Sequence, residues 1–485
     1  MKSESDRCSI PQTNAVLRRS FLQRSGVGVG AAALSSLMRQ DSAKAAAADG
    51  ELNSGLPGLP HLPPRVRRVI FLCMAGGPSH LETFDEKPLL AKMDGQPMPE
   101  SYTAGQPIAQ LQGQALKCQG PMTRFRRCGQ SGIPVSDFLP WHQKMADDLC
   151  IIRSMVTEQI NHDPAHTFMN TGTAISGRPS MGSWVTYGLG SESQDLPGFV
   201  VMTSVGGRNP QPIASRQWGS GFLPSRFQGV EFNSAGSPVH YLETPPGVTM
   251  ERQRQLIDSV NALNRHRNRT LQNPELETRI AAYEMAFRMQ MSVPELVDMS
   301  DEPKHVLDMY GASPGDGSFA SNCLLARRLA ERGVRFIHLY HRGWDHHGDL
   351  VRYMNICSGL TDRPTYALLQ DLKQRGMLDD TLVIWGGEFG RTPMFQGKGG
   401  PGRDHHIRGF SMWLAGGGVR GGMNWGNTDE LGYNAVENVV HIRDLHATML
   451  YMLGIQHDRF SVRRQGLDMK LTGVEETHIL NELFV

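Results

Sequence analysis

Two apolar runs in the second half of the chain stop at glycine and at once present ligand-capable side chains, and this restricts the fold more than any other feature. Thr381-Leu-Val-Ile-Trp-Gly-Gly-Glu-Phe-Gly-Arg391 delivers Glu388 just past a Gly-Gly pair, and Val334-Arg-Phe-Ile-His-Leu-Tyr340 runs into Gly343-Trp-Asp-His-His-Gly348. Continuous apolar runs without alternation suit strands covered on both faces, as in a parallel sheet. The same pattern opens the body of the chain, where Arg68-Val-Ile-Phe-Leu-Cys-Met74 ends at Ala75-Gly-Gly-Pro-Ser-His80. Gly76-Gly77 lacks both the dinucleotide fingerprint and the P-loop lysine, so no nucleotide cofactor is expected.

Further strands are expected at Asp147–Met155, Leu196–Thr203 and Gly409–Ala415. A helix opens on the cap Ser180, and another starts at Asn273-Pro-Glu, with Leu276, Ile280, Tyr283, Phe287 and Met291 on one face and Pro294 as its end. After Phe319 helices through Leu325–Ala330 and Tyr366–Leu372 alternate with the strands ending at Tyr340 and starting at Leu382. That order predicts βαβ units, an α/β fold with a mostly parallel sheet flanked by helices. Asp444–Leu453 reads as one more helix. Residues 89–135 read as irregular, and the Gly/Pro/Ser-rich stretch to 247, with the helical segment after it, as an insertion around 204–300.

The N-terminus reads as a leader. Arg18-Arg-Ser-Phe-Leu-Gln23 fits a twin-arginine export signal, an apolar run from Gly26 to Leu37 follows, and Ala43-Lys-Ala45 offers a cleavage site. The expected division is a signal peptide at 1–45, a linker at 46–64 and a single domain at 65–485. Export by the twin-arginine machinery to the periplasm or cell envelope follows as an expectation, without a transmembrane anchor, because the apolar run is too short and glycine-rich. The 485 residues carry a formal charge of +1 with no dense basic block past the leader, so nucleic acid is not an expected partner. Of the cysteines, Cys118 and Cys128 flank one loop and are open to bridging in an oxidising compartment, whereas no Cys-x-x-Cys pair suggests a thiolate zinc site.

Ligands in open α/β sheets bind beyond the carboxyl ends of the strands. The chain places Ser79, His80 and Asp85 there, then His162 and His166, then Asp345, His346 and His347, then Glu388, with Asp404, His405 and His406 on a glycine loop. Imidazole mixed with carboxylate suits zinc or manganese better than magnesium or calcium, which prefer oxygen shells. One or two divalent ions are expected on Asp345, His347, Glu388, Asp404, His405 and His406. His446, on an apolar helix, reads as structural.

Gly-Gly-Pro-Ser-His-Leu-Glu-Thr-Phe-Asp85, His-Asp-Pro-Ala-His166, Gly-Arg-Pro-Ser-Met-Gly-Ser-Trp184, Gly-Trp-Asp-His-His347, Gly-Gly-Glu-Phe-Gly-Arg-Thr-Pro393 and Gly-Arg-Asp-His-His406, in this order, resemble the bacterial "domain of unknown function 1501" proteins from about residue 65 onward. That resemblance implies the alkaline phosphatase and sulfatase superfamily, often with twin-arginine export. Asp345 and His347 look like the first metal element of that superfamily, Glu388 stands where a second aspartate is found with Phe389 in place of its histidine, and His405 or His406 looks like the last histidine. Counting back from Thr171-Gly172, the nucleophile slot holds His162, and the modifiable cysteine motif of sulfatases is missing. The resemblance implies a metal-dependent hydrolase of a small or polymeric sulfate or phosphate ester. His162 would act as nucleophile or general base, Arg391 as a clamp for the anionic group, and Ser79, His80 and His166 would line the substrate site. The alternative is a non-catalytic sulfatase-like protein that binds metal or a polyanion in the cell envelope.

Overall fold

Every residue of the first strand, β1 (Arg68–Ala75), is buried, as its unbroken apolar run requires. Successive side chains on a strand point to opposite faces. Accordingly Ile70, Leu72 and Met74 enter one hydrophobic core, while Val69, Phe71, Cys73 and Ala75 enter the other. The computed structural model describes residues 55–485 except 208, 209, 212, 237, 240–246 and 398, and leaves out the side chains of 274 and 275. The twin-arginine pair and the cleavage site lie outside the described residues. The described part belongs to one unit, Ser54–Val485.

Around β1 stand β2 (Cys150–Val156), β3 (Phe199–Ser204), β4 (Val230–Phe232), β5 (Phe336–Arg342), β6 (Thr381–Gly386), β7 (Phe410–Ala415), β8 (Met423–Trp425) and β9 (Val440–His441). Their order across the sheet is β8-β2-β7-β6-β1-β5-β3-β4, and β9 also pairs with β2. The α/β expectation with a mostly parallel sheet holds: β1 runs parallel to β5 and β6, and β3 to β4 and β5. β7 is antiparallel to both neighbours, β6 and β2.

That reversal matters for the site. Because β7 runs the other way, its amino end lies at the edge where β1, β5 and β6 finish. The 387–409 loop therefore returns along that edge, and a short ladder pairs His405 with Arg391 and His406 with Gly390. Parallel neighbours instead need long crossovers, here supplied by helices.

The helices are α1 (His162–Thr171), α2 (Met181–Leu189), α3 (Met250–Leu271), α4 (Pro274–Val297), α5 (Phe319–Glu331), α6 (Leu350–Gln374) and α7 (Ile442–Met452), with shorter turns between. Residues of α5 and α6 fill one core, and residues of α1, α2 and α7 the other. Ser180 caps α2 as expected, accepting from the Ser183 N–H.

Several expectations need correction. His162 and His166, expected just beyond a strand end, lie on helix α1, with Pro164 tolerated in its first turn. Pro294 lies inside α4, which continues to Val297. The stripe expected on α4 is only half buried: Leu276 and Ile280 are covered, but Tyr283 is 46% and Met291 63% exposed. The buried positions shift to Met289, Val293 and Leu296, which join the core that α5 helps to fill, while α4 also packs against α3. The stretch taken as an insertion supplies an edge strand of the main sheet, β4. Cys118 and Cys128 are both free and buried, packed in different hydrophobic clusters. Among the described residues, no helix is long and apolar enough to cross a membrane.

Candidate metal centre

Four side chains from one strand end, one return loop and one helix start meet at this edge. His162 is the first residue of α1, Asp345 and His347 follow β5, and His405 lies in the return loop before β7. One ligand atom of each lies within 4.8 Å of the others. Asp345 Oδ1 is 2.9 Å from His347 Nε2, 3.2 Å from His405 Nε2 and 3.3 Å from His162 Nε2, while the two nitrogens of His347 and His405 are 3.0 Å apart. His162, His347 and Asp345 keep 15%, 16% and 10% of their side-chain surface, so the group opens to solvent.

What each histidine does with its other nitrogen fixes its tautomer. His405 Nδ1 lies 2.8 Å from the Ile160 carbonyl, which can only accept, so Nδ1 carries the proton. His347 Nδ1 donates to Gln396 Oε1 at 2.6 Å, and His162 Nδ1 to Glu388 Oε1 at 2.6 Å. In each neutral ring the Nε2 lone pair is then turned into the group.

Lone pairs of His347 and His405 facing each other at 3.0 Å repel unless a cation lies between them. Bonds of about 2.0–2.1 Å at a tetrahedral angle put neighbouring donors about 3.3 Å apart, close to the spacings found. His162 Nε2 is buried without a hydrogen-bond partner. The donor set, three imidazoles and one carboxylate, each histidine oriented by an acceptor on its far nitrogen, fits a zinc- or manganese-type ion.

The charges agree. Burial alone would raise the Asp345 carboxyl, but the Arg391 guanidinium, with the rings of His162, His347 and His405 beside it, holds it well below the usual carboxylate range. Burial lowers His405 to about 4, against the pull of Asp345. Burial would lower His162, yet the neighbouring Asp345 and Glu388 carboxylates raise it.

Two glycines let the strand ends come this close. Gly76 has φ +120°, and a Cβ there would lie 2.5 Å from Asp345 N and 2.7 Å from Trp344 C. At Gly402 a Cβ would lie 2.1 Å from the His347 carbonyl carbon. Gly76-Gly77 therefore serves backbone packing, and its carbonyls accept from Arg391.

The remaining expected site residues are placed elsewhere. Asp404 turns its carboxylate to the backbone N–H groups of Gln110 at 2.6 Å, Leu111 at 3.0 Å and His405 at 2.9 Å. His406 stacks on Tyr433 and bonds to the Tyr433 carbonyl. Adjacent residues on a strand point to opposite faces, so His405 and His406 cannot both enter the group. Glu388 lies behind it, reaching it only through His162. His166, one turn below His162 on α1, is fully buried and cannot meet a substrate.

Ser79 and His80 are also buried, bonded to Glu82 and to the Gly432 carbonyl. Arg391 is 1% exposed, and its donors go to Gly77 O, Arg403 O, Gly76 O, Trp344 O and Asp345 Oδ1, the last at 2.6 Å. It neutralises Asp345 and ties three loops together while buried from solvent.

Three glutamines complete the surroundings. Gln396 orients His347, Gln211 donates to Asp345 Oδ2 at 3.0 Å, and Gln110 Nε2 lies 3.2 Å from His347 Nε2. Gln110 and Gln211 come from segments read as irregular or inserted, and no spacing or motif marks either one.

A search of curated protein sequences finds no match. Among solved structures, similarity is found to the PsFucS1 sulfatase from Pseudoalteromonas sp., with 12% identity and a TM-score of 0.32 over 80% of this chain and 68% of that one. A protein in the alkaline phosphatase superfamily from Vibrio parahaemolyticus gives 10% identity and a TM-score of 0.34 over 84% and 73%. The alkaline phosphatase of the Antarctic bacterium TAB5 gives 11% and 0.27 over 81% and 98%. Scores and identities this low carry no argument about chemistry. Residues 66–484, which contain every side chain of the centre, match the family described as "Protein of unknown function (DUF1501)", and the chain belongs to that family.

Proposed function

We propose that the chain is a metal-dependent hydrolase of sulfate or phosphate esters, with its ion held by Asp345, His347, His405 and His162. The observation that supports this most is the set of three imidazole lone pairs turned onto one carboxylate, with His347 and His405 only 3.0 Å apart. A divalent ion held by these four residues would supply Lewis acidity toward an ester oxygen or a water. The ester class rests on the resemblance of the motif order to the alkaline phosphatase and sulfatase superfamily. Export to the periplasm or cell envelope, from Arg18-Arg19, belongs to the same reading.

The chain's own residues hold and orient. Arg391 keeps Asp345 ionised, Gln396 and the Ile160 carbonyl fix the rings of His347 and His405, and the Gln110 amide stands beside His347. His162, in the position expected of a nucleophile, has Nδ1 bonded to Glu388 and turns Nε2 toward Asp345 at 3.3 Å, and acts here as a ligand.

The second reading, a metal- or polyanion-binding protein without turnover, is favoured by one observation: Arg391 is buried, with Nε, Nη1 and Nη2 each bonded within the protein. Zinc- and manganese-loaded protein assayed on p-nitrophenyl sulfate and p-nitrophenyl phosphate separates the two. Turnover that disappears with chelator and in His405→Ala supports the hydrolase. Bound metal without turnover of either ester supports the binding protein, and equal turnover by metal-free protein overturns both.

A further inference from the structure

Glu388 stands behind the proposed ligands and is sealed from solvent. The Gly76 N–H donates to both of its oxygens, at 3.0 and 3.1 Å, and Oε1 accepts from His162 Nδ1 at 2.6 Å. His166 Nε2 is 3.4 Å from the same oxygen, and neither ring nitrogen of His166 has a hydrogen-bond partner. With the Gly76 N–H aimed at both oxygens and His162 Nδ1 at Oε1, the carboxylate serves as an acceptor.

Two arrangements are chemically open. In one, Glu388, His166 and His162 Nδ1, which also lie within 4.8 Å of one another, hold a second ion. That requires His162 to bind metal through both nitrogens, losing both protons, in a space without solvent access. It also requires the Glu388 oxygens to serve an ion while Gly76 N–H is aimed at both. In the other arrangement Glu388 accepts the His162 Nδ1 proton and orients the ring, as carboxylates commonly do behind metal-bound histidines.

We infer that Glu388 is a positioning residue and not a ligand: it fixes the tautomer and direction of His162, and the centre takes a single ion per chain. This rests on the metal reading above. It also gives Gly76 a second task, since the N–H of the first strand's end holds Glu388 in register with α1.

The test is a metal count and an affinity by chelator competition on zinc-loaded wild type, Glu388→Gln and His162→Ala, with circular dichroism as the folding control. Cobalt absorption reports ligand number independently of activity. The expected result is one ion in wild type and one in Glu388→Gln, the latter bound about 10–100-fold more weakly with its four-coordinate cobalt spectrum retained. His162→Ala alters that spectrum.

Two ions in wild type, with one lost in Glu388→Gln, overturn the inference and make Glu388 a ligand. Unchanged affinity in Glu388→Gln overturns it as well. A folded wild type that takes up no ion overturns the metal reading along with it. The wild-type count decides between one ion and two even if a variant fails to fold.

Discussion

Gly76→Ala perturbs the point where the first strand's end meets the loop carrying Asp345. The new methyl group faces backbone atoms, at 2.5 Å from Asp345 N, 2.7 Å from Trp344 C and 2.8 Å from Trp344 N, so no side chain can swing aside. The residue also sits at φ +120°, where side chains other than hydrogen are strained. The backbone conformation costs about 1–3 kcal/mol and the overpacking about 1–3 kcal/mol more. Together they remove about 2–6 kcal/mol from a total that is typically about 5–15 kcal/mol.

Gly58→Ala is the control. It has φ +84° and nothing within 4 Å of the added methyl, so it carries the conformational part alone. Urea unfolding followed by tryptophan fluorescence and circular dichroism measures both variants. The expected order is a clearly lower midpoint for Gly76→Ala than for Gly58→Ala, with weaker zinc binding in the former because the displaced N–H of residue 76 is moved off Glu388. Equal midpoints would refute the reasoning, since the approach of the two strand ends would then carry no weight.

Three further outcomes are expected. His446 donates from Nε2 to the Met169 carbonyl, and burial lowers its pKa to about 4, below the unfolded value of about 6.5. Its contribution is fully present above pH 6.5 and is lost as pH falls toward 4, roughly 3 kcal/mol in all. His446→Gln should therefore flatten the stability profile in that window, and parallel profiles count against the argument. Glu82→Ala leaves the fully buried Arg403 without its carboxylate, which binds it at 2.7 and 2.9 Å, and should cost about 3–5 kcal/mol in urea unfolding. All six thiols from Cys73 to Cys357 are free and buried, so Ellman's reagent should label them only after denaturation; a Cys118–Cys128 crosslink found by mass spectrometry contradicts this.

The apolar runs at 68–74, 334–340 and 381–386 made a sheet buried on both faces readable, because a strand covered on both sides leaves no room for polar alternation. Glycines and prolines at the strand ends were readable as turns, but Gly76 was not readable as a contact with Trp344 and Asp345, 268 and 269 positions away in numbering. His162 went unrecognised as a helix start, since His-Asp-Pro carries weak propensity and the helix is held by the packing of Phe168 and Met169.

From sequence alone, Asp345, His347, Glu388 and Asp404 to His406 form one undivided set of metal-binding types, and nothing local ranks them. Tertiary structure decides the ranking. The antiparallel course of β7 brings His405 to the shared edge and turns His406 to Tyr433, and the N–H groups of Gln110 and Leu111 capture Asp404. The sequence determined which side chains could bind an ion; only the pairing direction of one strand and the hydrogen bonds behind each ring decided which of them face one another, because direction and tautomer are set by neighbours distant in the chain.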